Sequence, residues 1–318
     1  MSNDTTEPIL PQIADAAPDD SARRALHEEN RLSWNEATRA HNSHKRDQAK
    51  FFREGGNKLF PEETALLGDL HGKSVLHLQC NSGQDTLSMK QLGAASVTGV
   101  DISDEAIDFA RKLSADSGLA AMFHRADVYE WLAKAGQRDE RWDVVFCSYG
   151  AIIWLSDLET WACGIASVLR PGGHFVTVEF HPFAWAFDEN LVHKFPYSTH
   201  GTAMTWSDGI GDYVGEAGAV LAPSGWEDGV QNFRNPSGAR VRVESVGGDG
   251  GAAGRGTRAG AFPGVRASGG HPPVQGDGAG GRPPLGAAAG GARSAANVLN
   301  RGEEGGVDGI GESSRRGW

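Results

Sequence analysis

The sequence predicts an α/β fold with a doubly wound, mostly parallel sheet, and three observations support this. Short apolar runs alternate with helical patterns from Lys73 to Phe180, which is typical of strands joined by crossover helices. The run Trp142–Cys147 is mostly apolar, as expected for a strand covered on both faces. Polar or acidic residues follow four of the runs, at the strand ends where open parallel sheets bind their ligands.

Each element has a local reason. Ser103 with the acids after it predicts a helix start, and Gly118 predicts its end. The Pro-Gly-Gly sequence at 171–173 predicts the end of the last helix. The predicted strands cover 75–78, 96–100, 121–124, 142–147 and 174–180, and the helices between them start near 84, 104, 128 and 157.

The segments before this core are predicted to be helical. Ser33 followed by Glu36 reads as a capping box, so a helix is expected from there to Phe52. Pro61 and the acids after it predict a second, short helix. The predicted organisation is a disordered N-terminus (1–20), an N-terminal helical cap (21–72), an α/β core (73–180), an aromatic-rich substrate or lid region (181–236) and a low-complexity tail (237–318).

Composition excludes several classes of protein. The net charge of −11 argues against a nucleic-acid partner, because such binding depends largely on neutralising phosphate with Lys and Arg. The sequence has no run of 18 apolar residues, so no membrane span is predicted. The start MSNDTTEPIL has no signal-peptide pattern. The three cysteines show no metal or disulfide spacing. A cytoplasmic protein with no metal centre is expected.

One stretch carries most of the functional information. Val75–Gly83, VLHLQCNSG, is a short strand leading into a tight turn, and Asp101 ends the next strand about 20 residues later. This order suits a nucleoside-bearing cofactor, whose ribose hydroxyls an acid at that position can bind. The pattern G-x-G-x-x-G is absent, which disfavours a pyrophosphate-containing dinucleotide.

This stretch resembles motif I of class I S-adenosylmethionine (SAM)-dependent methyltransferases, usually written VLDLGCGTG. His77 stands in place of the usual acid, and Gln79 and Asn81 in place of two glycines. Together with the polar ends of the later strands, the resemblance covers Lys73 to about Phe180. It implies that SAM is the cofactor and that a small-molecule methyl acceptor is the partner.

The resemblance also implies roles for individual residues. Asp101 would accept hydrogen bonds from the ribose, Ile102 would pack on adenine, and Asp127 with Val128 would bind the adenine edge. Ser148 would border the methyl group. The remaining cofactor contacts, at the methionine end, would come from the backbone of Leu78, Gln79, Cys80, Asn81, Ser82 and Gly83. The alternative for both Asp101 and Asp127 is an N-cap of the following helix.

A base is required only if the acceptor must lose a proton. The candidates for a catalytic residue are Tyr149, Glu179 and His181, all at strand ends. The alternative for Tyr149 is a packing role. For Glu179 the alternative is a strand residue whose hydrogen bonds are already made, and for His181 it is the start of a turn. His41 and His44 lie one helical turn apart. We expect them to lie on a solvent-exposed helix face rather than at the edge of the pocket.

The tail departs from what the family pattern implies, because class I methyltransferases finish the sheet with two further strands. Residues 237–318 contain 24 of the 44 glycines and no lysine, and no segment long enough for a paired strand is evident. An out-of-frame translation of a GC-rich gene accounts for this mixture. A genuine disordered tail is the alternative.

Three functions follow from these observations. The preferred one is SAM-dependent methyl transfer to a small molecule by in-line displacement. The second is a SAM-binding protein without catalysis, or a frameshift-inactivated methyltransferase. The third is an NAD-dependent oxidoreductase, which would use Asp101 but lacks the required glycines.

Overall fold

The computed structural model describes residues 12–13, 20–181, 183, 186–187, 191–197, 203–206, 209–230, 238–241 and 295–300. The strands are β1 Gln12–Ile13, β2 Ser74–Leu78, β3 Ser96–Asp101, β4 Met122–Arg125, β5 Trp142–Cys147, β6 Leu169–Glu179, β7 Ala203–Trp206, β8 Gly238–Val241 and β9 Ala295–Asn300. The α-helices are α1 Asp20–Ser43, α2 Gln48–Arg53, α3 Pro61–Leu67, α4 Gln84–Gln91, α5 Asp104–Ser117, α6 Val128–Gln137, α7 Leu158–Val168 and α8 Tyr213–Ala217. The structure also has 3₁₀ turns at Ile152–Trp154 and Gly218–Leu221.

The main sheet confirms the predicted fold class. Its strand order is β4-β3-β2-β5-β6-β9, and the pairs from β4 to β6 are all parallel. The chain runs outward from β2 through β3 to β4, and then returns to place β5 on the other side of β2. The order therefore reverses between β2 and β5, and ligands of such sheets bind at that point, outside the carboxyl ends of the strands.

Apolar side chains cover both faces of the sheet. Leu76, Leu78 and Val145 belong to one buried cluster with side chains of α6 and α7. Val75 and Val144 belong to a second cluster, on the opposite face. Because successive side chains of a strand point to opposite faces, this arrangement agrees with the prediction of strands buried on both sides.

The N-terminal region differs from the prediction at its first helix. The capping box at Ser33 is wrong, because Ser33 lies inside the 24-residue helix α1. Its hydroxyl instead accepts a hydrogen bond from the backbone N–H of Ile210 at 3.1 Å. Tertiary packing has therefore overridden a local signal. The short helix starting at Pro61 is confirmed.

Both ends of the chain contribute strands that sequence patterns did not indicate. Residues 12–13, within the segment expected to be disordered, pair with β7, and β7 also pairs with β8. Residues 295–300 pair antiparallel with β6, where the tail was expected to supply no strand. An edge strand needs a partner on only one side, so a short segment suffices. The rest of the predicted tail, 242–294 and 301–318, lies outside the described residues. That the tail is an out-of-frame translation stays a prediction.

None of the described helices is both long enough and apolar enough to cross a membrane. Within the same residues, no cluster of three or more His, Cys, Asp or Glu side chains could hold a metal ion.

Candidate functional site

The turn after β2 has a left-handed backbone at every second residue. The φ angles are +50° at Gln79, +47° at Asn81 and +76° at Gly83. This conformation costs a non-glycine residue roughly 1–2 kcal/mol, and Asn tolerates it better than most. Two of the three positions that are glycine in the family pattern therefore carry side chains here and still have a left-handed backbone.

Gly83 is required for a second reason. A Cβ atom there would lie 2.7 Å from the Cβ of Ala110 and 2.8 Å from the ring of Phe123. The turn is therefore pressed against α5, and its path cannot shift outward to accept a larger residue.

The N–H groups of this turn are already used within the protein. Those of Cys80 and Gly83 donate to the carbonyls of Val100 and Cys80, both at 3.0 Å. The N–H of Asn81 donates to Asp101 at 2.7 Å, and that of Ser82 to the side chain of Asn81 at 2.6 Å. These four N–H groups are therefore bonded within the protein, and the Asp101 carboxylate beside the turn carries acceptor oxygens. The backbone contacts of this turn to the methionine end stay a prediction.

Asp101 is positioned at the carboxyl end of β3 to receive hydroxyl donors. Its Oδ2 accepts the N–H of Asn81 and its Oδ1 that of Ser103, at 2.7 and 2.9 Å. Each carboxylate oxygen has about two lone-pair positions, so each can accept one further bond. The side chain is half-buried. Burial raises the pKa of Asp101 to about 6, although the backbone N–H bonds oppose that shift.

Asp127 is held differently. Its Oδ1 accepts the N–H groups of Tyr129 and Glu130, at 2.9 and 3.4 Å, and so caps α6. Its Oδ2 lies 2.6 Å from Nδ1 of His27 on α1. The N-cap alternative therefore describes this residue, and its role at the adenine edge stays a prediction. Burial raises the pKa of Asp127, but the His27 contact and the backbone bonds leave it below its usual value.

The other predicted cofactor residues differ in what they expose. Leu78, Cys80, Ser82 and Val128 are buried, so only their backbone groups could face a ligand. Ile102 and Ser148 are half-buried at the ends of β3 and β5. The geometry is compatible with the predicted positions of these two residues.

Glu179 holds the loop after β5. Its Oε1 accepts the N–H groups of Gly150 and Phe180, at 2.6 and 2.7 Å. Its Oε2 accepts that of Ile152 at 2.9 Å. Burial raises the pKa of Glu179 against the effect of these bonds. A carboxylate with three backbone donors holds this loop in place, which agrees with the alternative of a strand residue whose hydrogen bonds are already made. A catalytic role for Glu179 stays a prediction.

Tyr149 and His181 are also engaged. The Tyr149 hydroxyl donates to Oε1 of Glu62 at 2.7 Å, and its ring packs beside Phe60 and Phe180. Nδ1 of His181 accepts the N–H of Phe183 at 3.2 Å, which matches the turn interpretation. Catalytic roles for both residues stay predictions.

The Gln79 side chain links the two loops that flank the switch point. Its Nε2 donates to the carbonyl of Ala151 at 2.9 Å. Its Oε1 lies 3.6 Å from Sγ of Cys147, the last residue of β5. A glycine at this position could not make these contacts, so they are specific to this variant of the motif.

Helix α1 contacts each loop of the candidate cofactor site. In addition to the His27–Asp127 pair, Asn35 accepts the Ser103 hydroxyl at 2.7 Å, and Asn42 donates to the Ser82 hydroxyl at 2.8 Å. Sequence reasoning did not identify these three α1 residues as part of the site. Their spacing of seven or eight residues, about two helical turns, was the available signal.

His41 and His44 are buried, with 2% and 4% of their surface exposed, so the expected solvated face is wrong. Nε2 of His44 lies 2.7 Å from Oδ2 of Asp212, and Nε2 of His41 lies 3.0 Å from the carbonyl of Gly211. Burial lowers the pKa of His41 to about 4, so it is neutral at pH 7. These histidines fix the region around α8 against α1.

A buried charged cluster, which sequence reasoning missed, lies beside the N-terminus of α4. Lys58 Nζ donates to Asp85 at 3.0 Å, and Glu63 accepts the backbone N–H of Phe60 at 2.8 Å. Burial and the Asp85 charge raise the pKa of Glu63 to about 8.

His77, at the position of the family's acid, is buried and its Nδ1 contacts Thr86 at 2.8 Å. Burial lowers the pKa of His77 to about 4.

Comparison with known proteins gives the same assignment for the core. Residues 75–173 match the family model described as a methyltransferase domain. The ubiquinone biosynthesis O-methyltransferase of Proteus mirabilis is 30% identical over 137 residues, 41% of this chain and 54% of that protein. Its counterpart in Aromatoleum aromaticum is 31% identical over 137 residues, 41% and 56% of the two chains. The chain thus spans slightly more than half the length of these relatives.

Among solved structures, a SAM-dependent methyltransferase from Mesorhizobium loti is 28% identical, with 42% of this chain and 58% of that chain covered and a TM-score of 0.36. The family match assigns a methyltransferase domain to residues 75–173, and the strand order of the main sheet agrees with the predicted fold.

Proposed function

We propose that this chain, through the methyltransferase domain at residues 75–173, transfers a methyl group from SAM to a small-molecule acceptor. The observation that carries the proposal is the turn after β2, whose N–H groups are used internally. A pyrophosphate needs hydrogen-bond donors, whereas a ribose diol and the ammonium group of the amino-acid end of SAM need acceptors. The turn together with Asp101 provides acceptors.

SAM supplies a methyl group on a sulfonium sulfur that an in-line displacement delivers to the acceptor. This chain's own residues mainly position the reactants, which by itself accounts for much of the rate. Asp101 would orient the ribose. Glu179 fixes the loop carrying Ser148 and Tyr149 through its bonds to Gly150 and Ile152, and this loop would border the reacting carbon.

The curated relatives are named for O-methylation, which favours a hydroxyl acceptor for this chain as well. A hydroxyl that must be deprotonated needs a base. Tyr149 remains a candidate, since its hydroxyl and the Glu62 carboxylate share a hydrogen bond of 2.7 Å through which a proton could pass.

A second candidate function is SAM binding without turnover. It is kept because Tyr149, Glu179 and His181 all make contacts within the protein, but the methyltransferase relatives do not favour it.

Two measurements separate these functions. Titration of the purified chain with SAM and with NAD by calorimetry should show binding of SAM alone. Incubation with SAM and a metabolite extract should then yield S-adenosylhomocysteine, measured by mass spectrometry. SAM binding without S-adenosylhomocysteine would favour the non-catalytic function, and binding of NAD alone would contradict both.

A further inference from the structure

A serine, a histidine and an aspartate from three separate elements form a continuous line of hydrogen bonds. Nδ1 of His27 lies 2.6 Å from Oδ2 of Asp127, and Nε2 of His27 lies 3.0 Å from Oγ of Ser156. His27 belongs to α1, Asp127 is the N-cap of α6, and Ser156 directly precedes the N-cap of α7. A hydroxyl, an imidazole and a carboxylate in this order form the arrangement that activates a serine as a nucleophile, on whatever fold it occurs.

The chemistry of these contacts fixes the position of the His27 hydrogen. Burial acts to raise the pKa of Asp127, but the His27 contact and the backbone bonds leave it below its usual value. At pH 7 this carboxylate is therefore ionised, and it can only accept hydrogen bonds. Nδ1 of the neutral His27 ring must then carry the hydrogen, which leaves a lone pair on Nε2. Nε2 accepts the hydrogen of the Ser156 hydroxyl, as a general base for that hydroxyl must.

His27 is held in this orientation by its surroundings. Oδ1 of Asp127 accepts the N–H groups of Tyr129 and Glu130 at 2.9 and 3.4 Å, so the carboxylate cannot turn away from His27 without breaking these bonds. The Tyr129 ring stacks on the His27 ring, with centroids 5.7 Å apart and 8° between the planes. Only 9% of His27 is exposed, so water competes little with Ser156 for Nε2.

The Tyr129 hydroxyl supplies a donor beside the serine. Its oxygen accepts the N–H of Asp157, the residue after Ser156, at 2.9 Å, and it also interacts with Ser156 itself. A phenol both accepts and donates, so the Tyr129 hydrogen can be given to an oxygen next to Ser156. Burial raises the pKa of Tyr129, which keeps that hydrogen in place at pH 7. A tyrosine hydroxyl in this position can stabilise a developing oxyanion.

We propose that Ser156 is a nucleophile activated by His27, that Asp127 positions His27, and that this triad hydrolyses an ester. Oγ of Ser156 attacks the carbonyl carbon while its proton passes to Nε2 of His27, and Tyr129 donates to the carbonyl oxygen. The intermediate collapses, and the alcohol leaves with the proton from His27. Water then attacks the acyl-serine, gives a proton to His27, and releases the acid as that proton returns to Oγ.

The surroundings of Ser156 favour a small uncharged ester. Ser156 is half-buried, and two neighbours along the chain, Ile152 and Leu158, are half-buried apolar residues. Asp127 and Asp157 place negative charge on either side of the serine, which disfavours an anionic substrate. An acetyl ester of an uncharged alcohol therefore represents the substrate class.

Hydrolysis of p-nitrophenyl acetate by the full chain, followed by the absorbance of the released nitrophenol, tests the proposal. Ser156→Ala should be at least about tenfold slower than the wild type, because a positioned general base contributes roughly 10²–10⁴-fold. Ser167→Ala is the matched control and should keep the wild-type rate. Ser167 lies on the exposed side of α7, where its hydroxyl donates to the carbonyl of Gly164 at 2.7 Å. Circular dichroism checks that each variant is folded.

Covalent labelling locates the nucleophile without depending on a variant. Diisopropyl fluorophosphate phosphorylates activated serine hydroxyls with loss of fluoride, and peptide mass spectrometry identifies the modified residue. We expect the label on Ser156 in the wild type and in Ser167→Ala, and its loss in His27→Gln, which keeps a polar side chain without the base. An unlabelled Ser156, or hydrolysis by Ser156→Ala as fast as by the wild type, would overturn the proposal. Neither assay contains SAM, so the outcome does not depend on the proposed methyl transfer.

Discussion

Asp101 and Asp127 end neighbouring parallel strands or follow them directly, and yet the structure uses them differently. Asp101 accepts one backbone N–H on each oxygen and keeps room for further donors. Asp127 caps α6 with one oxygen and pairs with His27 through the other. The same residue type near neighbouring strand ends therefore keeps acceptor positions open in one place and is used up by structural contacts in another. The packing of α1 makes the difference.

The largest effect is expected from Asp101→Ala. The substitution removes a charged acceptor of the ribose hydroxyls, so SAM binding should weaken by about 1.5–3 kcal/mol, roughly 10- to 150-fold. Calorimetry with SAM measures this, and Asp101→Asn, which keeps an oxygen for the N–H of Asn81, is the control. Unchanged SAM affinity in a folded Asp101→Ala variant would remove Asp101 from the site.

The pH dependence of SAM binding should come from Asp101. Its pKa of about 6 in the folded protein means that the carboxylate is ionised above pH 6 and protonated below it. At pH 5 only about one molecule in ten carries the charged form, so SAM affinity should fall up to about tenfold between pH 7.5 and pH 5. Asp101→Asn should lose this dependence. A wild-type affinity that is flat over this range would contradict the assignment.

Asp127→Ala should mainly affect stability. Loss of the N-cap costs about 1 kcal/mol, and loss of the His27 bond costs about 0.5–1.5 kcal/mol more. Urea denaturation measures this sum, while SAM affinity should change much less than in Asp101→Ala. His27→Ala, which frees one Asp127 oxygen, is the matched comparison. A loss of SAM affinity in Asp127→Ala as large as that in Asp101→Ala would show that both acids bind the cofactor.

Gln79→Gly should have the smallest effect. Relief of the left-handed backbone gains roughly 1–2 kcal/mol, and loss of the bond to Ala151 costs about 1 kcal/mol, so the free energy of unfolding should change little. SAM affinity should stay within tenfold of the wild type. Gln79→Ala keeps the strain without the bond and should be less stable by about 1 kcal/mol. A larger loss of SAM affinity in Gln79→Gly would show that the side chain itself binds the cofactor.

The fold of the core could be predicted because each signal is local. The apolar run of β5, the N-cap Ser103 before α5 and the glycine at 118 act within a few residues, and the structure has an element at each place. The left-handed turn was foreseeable for the same reason at Asn81 and Gly83. The capping box at Ser33 failed because packing of α1 against α5, α8 and β8 outweighs about 1 kcal/mol of capping.

The sequence by itself determined the order of strands and helices, the turn after β2 and the acid at Asp101, because periodicity and short-range spacing encode them. Only the tertiary structure decided which side chains remain available to a ligand. Residue 82 meets residue 42 across 40 positions of the sequence, and residue 127 meets residue 27 across 100 positions. Contacts of this kind depend on how whole helices pack against the sheet, and no local pattern records that packing.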